Sequence, residues 1–116
     1  MKRIFPLFTI LLLVLALPAY AATPYALKVQ PYLSFDGTTA RCSVTFTGDD
    51  SSDEADLTLT LYQGNTYVDS WSASGTDRVR ISETCNVESG KTYRLVLTWS
   101  VNGKTQPSLS TTKTCP

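Results

Sequence analysis

Apolar and polar residues alternate in short runs along most of the chain, and no stretch beyond residue 21 keeps a helical spacing of apolar positions over about ten residues. A period of two puts every second side chain on one face of an extended strand, so the pattern predicts half-buried β-strands separated by turns. Tyr25, Leu27, Val29, Leu33 and Phe35 share one parity, with Pro31 marking an edge strand. Asp36-Gly37 predicts a type I′ hairpin leading into Ala40, Cys42, Val44 and Phe46, which alternate with Arg41, Ser43 and Thr45. Leu57, Leu59 and Leu61 alternate with Thr58, Thr60 and Tyr62, and Gly64-Asn65 turns the chain back. A regular hairpin about that turn pairs 62 with 67, 60 with 69 and 58 with 71. Leu61 then meets Val68 on the inner face, and Tyr62, Tyr67 and Trp71 line the outer one.

The next strand carries Val79, Ile81, Cys85 and Val87 on one parity, with Glu83 the misfit among them. Ser89-Gly90-Lys91-Thr92 opens a run in which Tyr93, Leu95, Leu97, Trp99 and Val101 point one way. Asn102-Gly103 is a second I′ signal, and Thr105 to Thr114 forms a weakly apolar last strand. Seven short strands predict an all-β fold, a seven-stranded antiparallel Greek-key sandwich of immunoglobulin or fibronectin III type. In such sandwiches a tyrosine after a glycine turn forms a corner, so the Tyr93 hydroxyl is expected to bond to backbone between Val87 and Gly90.

The first 21 residues read as an export signal. Lys2 and Arg3 are followed by an apolar stretch, Ile4 to Leu17, broken only by Pro6 and Thr9, and Ala19-Tyr20-Ala21 supplies the small residues of a cleavage site. Cleavage is expected after Ala21, with Ala22 the alternative, giving one domain over residues 22–116. The apolar run falls short of the ~20 residues a spanning helix needs. No cysteine at the cleavage site and no apolar C-terminal tail offers a lipid or membrane anchor, so a secreted, extracellular protein is expected.

The whole chain has 10 basic and 10 acidic side chains and no histidine. Losing Lys2 and Arg3 leaves the domain acidic, which argues against a nucleic-acid partner. Without histidine there is no Ser-His-Asp triad, no Cys-His pair and no histidine zinc site. Three cysteines, Cys42, Cys85 and Cys115, leave an odd one in an oxidising compartment. Strand alternation brings all three to one pole, so every pairing is conceivable. Adjacent antiparallel strands with core parity at matching ends favour a Cys42 to Cys85 disulfide. Cys115, one residue from a terminus expected to fray, is then a free thiol or links two copies.

Leu33-Ser34-Phe35-Asp36-Gly37-Thr38-Thr39-Ala40-Arg41-Cys42, Leu59-Thr60-Leu61-Tyr62-Gln63, Trp71-Ser72-Ala73-Ser74-Gly75 and Gly90-Lys91-Thr92-Tyr93-Arg94-Leu95 resemble small secreted β-sandwich proteins of Gram-positive, clostridia-type gut bacteria. The resemblance spans nearly the whole chain after the leader. It implies a β-sandwich and an exported location, and it brings no catalytic or binding residue with it. The Asn-Pro-Thr-Thr-Gly type of loop found in immunoglobulin-like inhibitors of cysteine proteases is missing.

Three constellations could carry chemistry. Asp49, Asp50, Asp53, Glu54 and Asp56 could offer oxygens to Ca²⁺, although their spacing matches no calcium loop and solvated charges explain them as well. Tyr62, Tyr67 and Trp71, flanked by Asp69 and Arg94, mix rings with polar groups as a sugar-binding or protein-binding face does. Paired carboxylates for glycoside hydrolysis need a cleft that a domain of this size scarcely holds. The expectation is therefore a non-enzymatic domain without cofactor that recognises a protein or cell-envelope partner by its surface. A small carbohydrate-binding module using the aromatic face is the alternative.

Overall fold

The computed structural model describes residues 29–116. The export signal expected over residues 1–21, and the expected strand positions Tyr25 and Leu27, lie outside the described residues. Eight strands follow one another: β1 (Tyr32–Asp36), β2 (Thr39–Thr47), β3 (Glu54–Gln63), β4 (Thr66–Thr76), β5 (Arg78–Asn86), β6 (Thr92–Val101), β7 (Lys104–Thr105) and β8 (Leu109–Thr114). They form two antiparallel sheets, one ordered β1-β2-β5 and the other β4-β3-β6, with both β7 and β8 paired to the far side of β6.

Period-two alternation builds the core between them. Leu33, Cys42, Val44, Phe46, Val79 and Ile81 come from the smaller sheet, and Leu57, Leu59, Leu61, Tyr93, Leu95, Leu97, Trp99 and Val101 from the larger. Each fully buried leucine stabilises the fold by about 1.5–3 kcal/mol relative to exposure. Phe46 meets Trp99, and Phe35 meets Tyr93, in tilted ring contacts with centroids 6.3 and 5.9 Å apart. Such offset geometry suits the quadrupoles of the rings.

The last strand, expected to be single, is broken at Gln106-Pro107-Ser108 into β7 and β8. Pro107 has no amide hydrogen for a ladder. The break also has a use, because the buried Trp99 indole N–H donates to the Pro107 carbonyl at 2.9 Å and Gln106 N–H donates to the Trp99 carbonyl at 2.9 Å. The hairpin turns differ in one respect from expectation. Asn102 and Gly103 both have positive φ, 51° and 79°, as type I′ requires. At Asp36-Gly37, by contrast, Gly37 is the first central residue with φ 63° and Thr38 is not left-handed, which makes a type II′ turn.

Tyr93 forms the expected corner. Its hydroxyl accepts the Glu88 N–H at 2.8 Å and donates to Gln63 Oε1 at 3.2 Å, so the loop before β6 is tied to the end of β3. The C-terminus is pinned where fraying was expected. Cys115 N–H donates to the Lys91 carbonyl, the Cys115 carbonyl accepts from Gly90, and Cys115 Sγ donates to the Gly37 carbonyl at 3.4 Å. Cys115 is thereby 1% exposed. A link between two copies through this thiol would first have to unseat the terminus.

Candidate functional site

The β3–β4 hairpin decides which side chains reach the surface. Tyr62 faces Tyr67 across the Gly64-Asn65 turn, as the sequence predicts. The register then slips, so that Leu61 faces Asp69 and Val68 is the extra residue of a β-bulge. From there on Thr60 pairs with Ser70, Leu59 with Trp71 and Thr58 with Ser72. A one-residue slip reverses every side chain beyond it.

Trp71 and Asp69 therefore lie on the inner side, and the expected row of three outer aromatics does not form. Trp71 and Ala73 are half-buried and pack against the core. The physical reason is burial. In the unbulged register serines would face the core and the indole would face water, whereas the bulge exchanges them. A signal was present in the sequence, because apolar Val68 differs in parity from Trp71 and Ala73, and such a phase break is what a bulge repairs.

What remains outside is a polar face with one aromatic corner. Tyr67, Tyr62, Arg94 and Thr112 form one row across the larger sheet. Ser70, Thr60, Val96 and Ser110 form the next, followed by Ser72, Thr58 and Thr98. The Arg94 guanidinium sits 4.8 Å from the Tyr62 ring centroid, an attraction of about 0.5–1 kcal/mol at an exposed site. Tyr62 is half-buried between Arg94 and Tyr67, while Tyr67 is 60% exposed. Two hydroxyl pairs knit the rows, Thr60 with Ser70 and Thr58 with Ser72, each at 3.1 Å. Hydroxyl-rich and edged by rings and a cation, this face can stack a planar or sugar-like group and hydrogen-bond around it.

Asp69, Cys42 and Cys85 share the inner flank instead. Burial, the neighbouring Cys85 and the Asp69 carboxylate push the Cys42 thiol from its ordinary 9.0 up to about 12. Burial and Asp69 raise Cys85 as well. Both thiols therefore stay protonated at neutral pH, which suppresses nucleophilic chemistry. The disulfide expected between them is not formed, and all three cysteines are free thiols. Register explains this. Cys42 faces Glu83 and Cys85 faces Ala40, so the two are diagonal neighbours rather than opposed. Diagonal positions are about 7–8 Å apart, at or beyond the Cα separation a disulfide spans.

The acidic stretch is a latch. Asp53, 8% exposed, accepts the Asp50 N–H at Oδ2 (3.1 Å) and Asn102 Nδ2 at Oδ1 (3.0 Å), while Asn102 Oδ1 accepts the Glu54 N–H (2.9 Å). Asp77 N–H donates to the Asp53 carbonyl and Gly48 N–H to that of Asp77. Gly48 is needed there, since a Cβ would stand 2.7 Å from the Asp50 carbonyl oxygen and 2.8 Å from Asp53 Cβ. The Asp50 side chain accepts from Ser52 N–H and Oγ. Asp49, Glu54 and Asp56 are exposed, and no three acidic, cysteine or histidine side chains among the described residues are grouped to hold a metal ion. Sequence reading missed this latch because its partners, Asp53 and Asn102, are 49 residues apart.

No protein-family model, curated protein or solved structure matches the chain.

Proposed function

We propose that this protein is a secreted, non-enzymatic recognition domain that binds a protein or cell-envelope partner through the outer face of its larger sheet. The observation that carries this reading is the Tyr67, Tyr62 and Arg94 corner beside rows of serine and threonine hydroxyls, with Tyr67 60% exposed. Exposed tyrosine and arginine are the residue types that dominate binding surfaces. The strand order supports assignment to the immunoglobulin and fibronectin III class of Greek-key sandwiches, with β7 and β8 counted as halves of one seventh strand. A non-enzymatic role is supported by the lack of histidine and by two thiols held protonated.

A carbohydrate ligand is the second reading, favoured by the hydroxyl rows next to an accessible ring. Binding of the purified protein to envelopes of the producing cells and to a glycan array tests both. Tyr67→Ala and Arg94→Ala are expected to lower binding while leaving the fold intact. Loss of binding after protease treatment of the envelopes selects a protein partner, and saturable binding to a defined glycan selects the carbohydrate. Unchanged binding by both variants would remove this face from consideration.

A further inference from the structure

The edge strand β4 offers a second kind of interaction. β4 pairs only with β3 among the described strands, leaving its other side as a sheet edge. Proteins blunt such edges with charge, proline or bulges. β5 carries Arg78, Arg80 and Glu83, β8 carries Lys113 just before Pro116, and β1 follows Pro31. β4 is guarded only at its start, by the Val68 bulge and the inward-pointing Asp69. From Ser70 to Thr76 it has no charge and no proline.

The direction of its backbone groups follows from the side chains. Cross-strand hydroxyl bonds at Thr60–Ser70 and Thr58–Ser72 mark the close, non-hydrogen-bonded pairs of the ladder. In those pairs the strand's own N–H and C=O point away from the partner. Ser70 agrees, because its N–H donates to the side chain of its neighbour, Asp69 Oδ1, at 2.8 Å. By the period of two, Ser72 and Ser74 aim their main-chain groups outward too.

The unguarded edge segment is Ser70-Trp71-Ser72-Ala73-Ser74, which reads almost alike in both directions about Ser72. We propose that two copies of this chain pair through β4, antiparallel, with the two-fold axis at Ser72. In that register Ser72 opposes Ser72 of the second copy and Ser70 opposes Ser74. Each large inner side chain meets a small one, Trp71 against Ala73 and Asp69 against Gly75. The one charge on the strand therefore faces a residue with no side chain, and the two Asp69 carboxylates do not meet. Up to six main-chain hydrogen bonds close, two of them on release of Ser70 N–H by Asp69. A continuous sheet results, with the two Tyr62/Tyr67 corners on the same outer face, so the dimer would present two recognition corners. The pairing does not depend on what those corners bind.

Sedimentation velocity of the full chain over a concentration series, with reductant present, tests this. The expected result is a concentration-dependent dimer, retained by Ser72→Thr and by Tyr67→Ala. It is lost in Ser72→Lys, which sets two like charges face to face on the axis. Circular dichroism of Ser72→Lys should match the parent, and hydrogen exchange of residues 70–76 in the parent should slow as concentration rises. A parent chain monomeric at every soluble concentration would overturn the proposal. So would a dimer that survives Ser72→Lys, or protection that appears on another strand.

Discussion

Replacing Tyr93 by phenylalanine removes one oxygen from the base of the core and leaves the ring, its burial and its contact with Phe35 in place. No cavity opens beyond the hydroxyl itself, so the effect reports the corner alone. The Glu88 N–H loses its acceptor at 2.8 Å. A polar group left unsatisfied costs about 1–3 kcal/mol, the lower part of that range applying here because Glu88 lies near the surface. Gln63 loses a donor at 3.2 Å, but its half-buried carboxamide can reach water, so the net loss there is about 0.5–1 kcal/mol. Together Tyr93→Phe should cost about 2 kcal/mol. For a domain of this size that lowers Tm by about 8–16 °C. In urea the midpoint should fall by about 1–2 M with the slope unchanged, measured under reducing conditions so that thiol chemistry does not intrude. Tyr93→Ala, which also removes the ring, should cost about 3–5 kcal/mol and calibrates the position. A Tyr93→Phe loss below about 0.5 kcal/mol at constant slope would refute the view that this hydroxyl closes the loop onto the sheet.

Trp71→Ala should destabilise by about 2 kcal/mol, while Tyr67→Ala stays within about 0.5 kcal/mol, a contrast that parallel thermal melts would show and that an outward-facing Trp71 would abolish. Asp53→Ala removes charge-assisted bonds from Asp50 and Asn102 and should cost about 2–3 kcal/mol, with faster amide exchange at Asp50 and Glu54; an unchanged melting point would mean that the latch holds nothing. Because the native fold raises the Cys42 pKa from 9.0 to about 12, its contribution is fully present below pH 9 and is lost as pH rises from there towards 12. Urea titrations of the parent and of Cys42→Ala should accordingly converge over that range, and parallel pH profiles would contradict the assignment. Cys115, held at its main chain and at Sγ, should resist alkylation in the folded protein and react only on unfolding, as mass spectrometry of labelled peptides would reveal.

Local alternation was enough to assign the inner faces of β2, β3 and β6, since a period of two depends only on neighbours along the chain. The same holds for the Asn102-Gly103 turn, whose two left-handed residues are written in the dipeptide, and for the corner at Tyr93, announced by the glycine turn before it. Gly64-Asn65 likewise determined that Tyr62 and Tyr67 sit side by side. Beyond that pair, the parity break between Val68 and Trp71 marked an irregularity in the sequence, but which side chains it would turn inward was decided by the fold. A single bulge at Val68 exchanged Trp71 and Asp69 for Ser70 and Ser72, because the competition is between burying an indole and burying serines against the sheet opposite. That partner is not encoded within the hairpin. Cys42 and Cys85 have the same parity, yet a two-residue offset between β2 and β5 places Glu83 and Ala40 opposite them. The latch at Asp53 and the seat of Cys115 join segments far apart in the chain, the latter bonding to Gly37 across 78 positions. Strand faces follow from covalent geometry and local polarity; partners across a sheet or between turns follow only from how the folded chain excludes water and satisfies its buried polar groups.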